Sequence, residues 1–197
     1  MKRIALVGGT GRIGSRIAEE ARTRGHAVLV IARADTDIFD PDALAKVLRG
    51  NDVLVSAYGA PAAEPQKLPQ ATRSLLQAAA LACLTRVLTV GGCGVLTVPE
   101  GGRLADTEGF PATLLPKVKA HEEAVDLLKA SGVVWTCLSP PEQIGAGERT
   151  GSYRLAPWSL VRDAAGRSAI SYEDFAIAVV DELEALDHPH QFVGTGY

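Results

Sequence analysis

The chain has 197 residues, 47% of them hydrophobic and 22% charged, with a formal net charge of -3; this is one domain's length, with enough apolar material for a substantial core. No basic stripe is interleaved with aromatics and no apolar run approaches the ~18 residues of a membrane span, so neither nucleic acid nor a membrane is an expected partner. Met1-Lys2-Arg3 passes straight into an apolar run with no leader-like segment, and the three cysteines, Cys83, Cys93 and Cys137, are odd in number and widely spaced, which gives the expectation of a cytoplasmic protein with reduced thiols.

Ile4-Ala5-Leu6-Val7 reads as a buried parallel strand. Gly8-Gly9-Thr10-Gly11-Arg12-Ile13-Gly14 follows, then a helix from about Ser15 to Arg24. Glycines between a strand and a helix make a phosphate cradle: Gly8 permits the turn, Gly11 lets backbone N–H groups approach a pyrophosphate, and Gly14 lets the helix pack on the strand. A second strand, Ala27 to Ile31, completes a unit of roughly 30 residues, as a dinucleotide fingerprint requires. It ends in Ala32-Arg33, where an NAD site usually carries a carboxylate for the ribose hydroxyls. A guanidinium suits a phosphate dianion better, so Arg33, with Arg12 as a second clamp, points to NADPH, with NADH as the lesser alternative. A solvated surface role for both arginines is the competing reading, and Asp35 and Asp37 lie close by.

A short third strand is expected around Asp37 to Phe39. Asp40-Pro41-Asp42 then opens a helix that Gly50 ends. Asp52 to Ala57 is a further strand, and it runs into Tyr58-Gly59-Ala60-Pro61 at the carboxyl end where ligands bind in open α/β sheets. The proline-rich stretch from Pro61 to Pro69 reads as a loop before a helix from about Gln70 to Ala82. Val87 to Val90 is the next strand, and the cluster Gly91 to Gly94 marks either a close backbone approach or a plain turn. The long loop from Val95 to Pro116 is expected to wall a substrate pocket. A helix from about Lys117 to Lys129 leads to a strand, Val133 to Leu138, which Ser139-Pro140-Pro141 breaks. Glu142 to Tyr153 reads as an excursion that covers the site. Ser171-Tyr172-Glu173-Asp174 is a capping box for a helix to about Leu186, and Gln191 to Gly194 adds a last short strand. His188-Pro189-His190 offers two ligands and nothing to complete a metal site, so no metal is expected. Strand and helix alternate throughout. The fold class is therefore α/β, a single-domain, Rossmann-like, doubly wound parallel sheet with helices on both faces. The whole of 1–197 is one NAD(P)-binding domain with a small substrate-covering region at about 142–170.

The glycine loop resembles that of the short-chain dehydrogenase/reductase superfamily. Ser131-Gly132-Val133-Val134-Trp135-Thr136, Ser139-Pro140-Pro141, Thr150-Gly151-Ser152-Tyr153 and Ile170-Ser171-Tyr172-Glu173-Asp174 resemble one atypical subgroup, the small NAD(P)H-dependent flavin reductases of the biliverdin IXβ reductase type. The resemblance implies hydride transfer from NADPH to a flavin, or to a similar planar acceptor such as a quinone or tetrapyrrole, with the flavin a substrate rather than a resident group. It also implies that Asp37 meets the adenine amine and that Ile38 lies against the ring. The cofactor contacts expected in all are Gly8, Thr10, Gly11, Arg12, Ile13, Gly14, Arg33, Asp37, Ile38, Ala57, Tyr58, Gly59, Gly91, Ser139 and Pro140.

The chain departs from the wider superfamily at its proton-transfer residues. The serine position falls near Gly92 or Cys93, and the Tyr-x-x-x-Lys positions fall on Lys117 and His121. His121, Cys93 and Tyr153 remain as catalytic candidates, each with an ordinary packing role as the alternative. A non-catalytic NADP(H) sensor and a biosynthetic reductase or isomerase are the competing functions. A small-molecule substrate is the expected partner, for a monomer or a homodimer.

Overall fold

The computed structural model describes all 197 residues. In chain order, β1 (Arg3–Val7), α1 (Arg12–Thr23), β2 (Ala27–Ile31), α2 (Pro41–Leu48), β3 (Val53–Ser56), α3 (Lys67–Leu81) and β4 (Arg86–Val90) form the first half. The second half comprises α4 (Leu115–Lys129), β5 (Val134–Ser139), β6 (Gln143–Gly145), β7 (Arg154–Pro157), β8 (Ala169–Ser171), α5 (Tyr172–Ala185) and β9 (Gln191–Gly196). Seven strands make one sheet in the order β2-β1-β3-β4-β5-β9-β7. It departs from a fully parallel sheet at one edge, where β7 runs antiparallel to β9. β6 and β8 form a separate parallel pair.

Both faces of the sheet are covered, so β1 and β3 read as continuous apolar runs rather than alternating ones. The alternation of a strand still sorts their side chains. Ile4, Leu6 and Val55 face Ile17, Ala18 and Ala21 of α1 and Phe175, Val179 and Leu183 of α5. Ala5, Val7 and Leu54 face the opposite way, toward Leu44 and Leu48 of α2, Leu75 of α3, and Val125 and Leu128 of α4. The chain leaves β1 toward β2 and returns on the other side at β3, so the sheet order reverses at β1 and opens a crevice above its carboxyl end.

Several boundaries differ from the sequence expectation, each for a local reason. No strand forms at 37–39. There the Asp35 and Asp37 carboxylates accept the backbone N–H groups of Ala32 and Phe39 and draw the chain into turns. α3 begins at Lys67 and α4 at Leu115, because Pro69 and Pro116 fall in the first turn, where a missing N–H costs nothing. No residue of the segment 95–116 lines the crevice above β1, and Leu96, Val98 and Leu104 anchor it in the larger core. The aspartate cap of α2 forms as expected; at α5 only half of the expected capping box forms, with Ser171 Oγ accepting Asp174 N–H at 2.9 Å while the Asp174 carboxylate turns to Thr150, Gly151 and Tyr197.

Candidate functional site

The turn after β1 is shaped by what its glycines exclude. Gly8 has φ +77°, and a Cβ there would lie 2.5 Å from the carbonyl oxygen of Ala57 at the end of β3. A Cβ on Gly14 would lie 2.2 Å from the Gly8 oxygen, so only glycine lets α1 start this close to the strand. Gly11 caps α1 with no side-chain bond, and no acid occupies the first turn. The N–H groups and positive dipole end of α1 are therefore left for an anion.

A cleft of about 620 Å³ lies above the sheet reversal. It is lined by Gly8, Thr10 and Gly11 after β1, by Arg33, Thr36, Asp37, Ile38 and Phe39 after β2, and by Ala57, Tyr58, Gly59 and Pro61 after β3. Glu64 and Lys67 at the start of α3 close the far side. Tyr58 meets Phe39 edge to face, with ring centroids 6.2 Å apart, and this apolar end suits a flat heterocycle. Burial raises the Tyr58 hydroxyl above the usual phenol range, against the opposing fields of Lys67 and Arg33. The nearby aspartates are committed to backbone N–H groups, and Arg33 makes no ion pair. The cradle, the uncapped helix end and a free guanidinium fit an anionic dinucleotide.

Nine of the expected contacts thus share one cleft, and six do not line it. Arg12 is exposed and Ile13 packs on the α1 and α5 core, so with Gly14 they contribute the first helical turn rather than the cleft wall. Gly91 answers to packing: a Cβ there would lie 2.6 Å from the Phe192 ring. Ser139 is fully buried, with its hydroxyl turned back on the Pro140 carbonyl at 3.1 Å, and neither residue reaches the cleft. Sequence reasoning missed Thr36, Phe39, Glu64 and Lys67. The last two were legible only to a reading that started α3 at Lys67.

None of the three catalytic candidates lines the cleft. His121 lies across Gly92, where a Cβ would come within 2.6 Å of the imidazole. Burial, and secondarily Lys117, push its pKa down to about 4, so the ring is neutral at physiological pH. Burial likewise pushes the Cys93 thiol up to about 11. It stays protonated and is no nucleophile near pH 7. Tyr153 is remote from the cleft: its ring packs in the α1 and α5 core and its hydroxyl donates to Asp181 on α5. Nor does any residue of 142–170 line the cleft. The stretch 147–153 instead runs along α1 and α5. Arg149 grips Glu20 through two bonds of 2.9 and 3.0 Å, and Thr150 and the Gly151 N–H bind Asp174.

No group of three or more His, Cys, Asp or Glu residues is arranged to hold a metal ion, and no helix is long and apolar enough to cross a membrane.

Residues 34–186 match a family described as NAD(P)H-binding. The uncharacterized protein YwnB of Bacillus subtilis is 37% identical over 96% of this chain and 95% of its own. A crystal structure from Burkholderia pseudomallei, of a protein provisionally described as exported, is 41% identical with a TM-score of 0.94 over 100% of both chains. One from Streptococcus pneumoniae, provisionally described as an NADH-flavin reductase, is 34% identical with a TM-score of 0.88 over 100% of this chain and 99% of that one. The chain belongs to the NAD(P)H-binding family of atypical short-chain dehydrogenases/reductases.

Proposed function

We propose that this protein is an NADPH-dependent reductase that passes hydride to a planar acceptor, a free flavin foremost, with quinones and tetrapyrroles as related substrates. The observation that carries the NADPH reading is the unpaired Arg33 at the cleft, with Asp35 and Asp37 held away from it by their own turn bonds. The Streptococcus relative supports the flavin reading through its description.

The chain's own part is to bind and orient. The N–H groups of the loop from Gly8 to Gly14 would hold the pyrophosphate, Arg33 the ribose phosphate, and Ile38, Phe39 and Tyr58 the adenine. When bound, the reduced nicotinamide supplies the hydride, and the accompanying proton is available from water. Positioning then provides most of the rate. That division fits Cys93 after β4 and His121 on α4, since a neutral His121 and a protonated Cys93 offer no proton donor matched to pH 7.

The same absence of a matched donor favours the second reading, an NADP(H) sensor without turnover. Steady-state oxidation of NADPH with FMN, FAD and quinones separates the two. Turnover with free flavin is expected; tight NADPH binding with no turnover on any acceptor would establish the sensor instead.

A further inference from the structure

Glu64 and Lys67 face the cleft as an ion pair, Lys67 Nζ 2.8 Å from Glu64 Oε2, with side chains 43% and 37% exposed. A solvent-accessible pair three residues apart adds little to stability, so its position at the cleft wall calls for another explanation. Lys67 is the first residue of α3, whose N-terminus has no side-chain cap and no acid in its first turn, and the dipole there favours an anion. Arg33 lines the same cleft. The positive fields of both cations reach the Tyr58 hydroxyl, and the negative field of Glu64 opposes them. Tyr58 therefore shares the cleft with two cations, Arg33 after β2 and Lys67 at the start of α3, the first without an ion-pair partner and the second paired to Glu64.

We propose that Lys67 is a second specificity determinant for the phosphate-bearing cofactor, acting with Arg33 on the ribose 2′-phosphate, and that Glu64 restrains it as a competing partner. The inference rests on the NADPH reading above. An ammonium on a flexible four-carbon stem can move from a carboxylate to a phosphate within the cleft, which a rigid guanidinium fork does less readily. A 2′-phosphate is a dianion and gains charge-assisted bonds from both cations, whereas the diol of NADH offers Lys67 no charge in exchange for Glu64. Glu64 weakens phosphate binding twice over, by occupying Lys67 and by repelling the dianion. Its presence keeps the preference for NADPH below what two free cations would give.

The test is titration calorimetry of the full chain with NADPH, NADH, 2′,5′-ADP and 5′-AMP. The last two differ only in the 2′-phosphate and need no turnover. Lys67→Gln is expected to weaken NADPH and 2′,5′-ADP by about tenfold and to change NADH and 5′-AMP by less than about twofold. Glu64→Gln is expected to tighten the phosphate-bearing ligands by roughly three- to tenfold, and this gain should vanish when Lys67→Gln is added. Equal losses for all four ligands in Lys67→Gln would place the ammonium on a phosphate common to them and overturn the proposal. So would Glu64→Gln that weakens every ligand or alters none, as a purely structural pair would behave. A wild-type protein with no preference for 2′-phosphate defeats the NADPH reading itself. A wild-type preference that survives unchanged in Lys67→Gln defeats this inference alone.

Discussion

Arg33 holds its charge at the cleft without a partner because the two aspartates beside it in sequence are tied to backbone N–H groups. Replacing it should therefore cost affinity only where a phosphate was bound. Arg33→Ala is expected to weaken NADPH by roughly ten- to a hundredfold, the worth of a charge-assisted contact of about 1.5–3 kcal/mol, and to leave NADH nearly unchanged. Parallel titrations check this, and equal loss for both would show that the guanidinium does not read the phosphate. His121 supplies a second test at the same scale. Its imidazole is neutral in the fold down to about pH 4, whereas an unfolded histidine takes up its proton near pH 6.5. Between those values the unfolded chain binds the extra proton, so stability declines as pH falls from about 6.5 toward 4. Melting curves of wild type and His121→Leu at pH 7 and pH 4.5 should show a larger drop in the wild type. Single-turnover reduction of a free flavin by His121→Ala should fall less than about tenfold, because a matched general acid is worth about 10²- to 10⁴-fold. A thousandfold loss with NADPH affinity intact would restore a proton relay.

Among the elements, the junction of β1 and α1 leaves the least room for change. Gly14→Ala would set a methyl 2.2 Å from the Gly8 oxygen, and the loop that cradles the phosphates must move to admit it. NADPH affinity should fall at least about tenfold. Gly25→Ala is the control. Its site is open space but has φ +81°, so it should cost about 1 kcal/mol of stability and leave affinity alone. This junction was also the most legible part of the sequence, because glycine spacing reports backbone approach directly. The strands and the alternation of layers were legible for a similar reason, since each buried strand is a continuous apolar run. What escaped depends on side chains competing with the backbone, on prolines placed inside helices, or on strands of three or four residues, β6, β7 and β8, too short to show a period. The missing strand at 37–39 follows from an Asx turn at Asp37 and the bond from the Ala32 N–H back to Asp35, and the early starts of α3 and α4 follow from Pro69 and Pro116 standing in first turns. Phe39, Glu64 and Lys67 went unread at the site because they enter it only once those two irregularities are known. Tyr153 does not line the cleft for a third reason: sequence distance from the glycines says nothing about which face of the sheet a segment crosses.

For the molecule as a whole, the stretch 147–153 is fastened mainly by acids. Glu20 is held below the usual carboxylate range by the Arg149 bonds, and by Arg24, despite its burial. Asp174 is depressed as well, where burial is outweighed by bonds from Thr150, Gly151 and Tyr197. A carboxylate depressed in the fold lends stability above its unfolded pKa of about 4 and loses it as pH falls further. Below about pH 4 this stretch should be the first to loosen. Arg149→Ala should raise amide exchange across 147–153 at neutral pH while NADPH affinity stays at the wild-type value, because no residue of the segment lines the cleft. A loss of affinity in that variant would show that the segment reaches the cofactor after all.

β9 lies between β5 and β7 although it is the last strand made. During synthesis β7 has no neighbour to pair with until β9 emerges, and the place of Phe192 in the larger core stays open for as long. The sheet cannot close progressively from one end in chain order, because β7 precedes the strand that joins it to β5. Folding on the ribosome should accordingly stall at an intermediate with five paired strands, β2-β1-β3-β4-β5, and an exposed β5 edge.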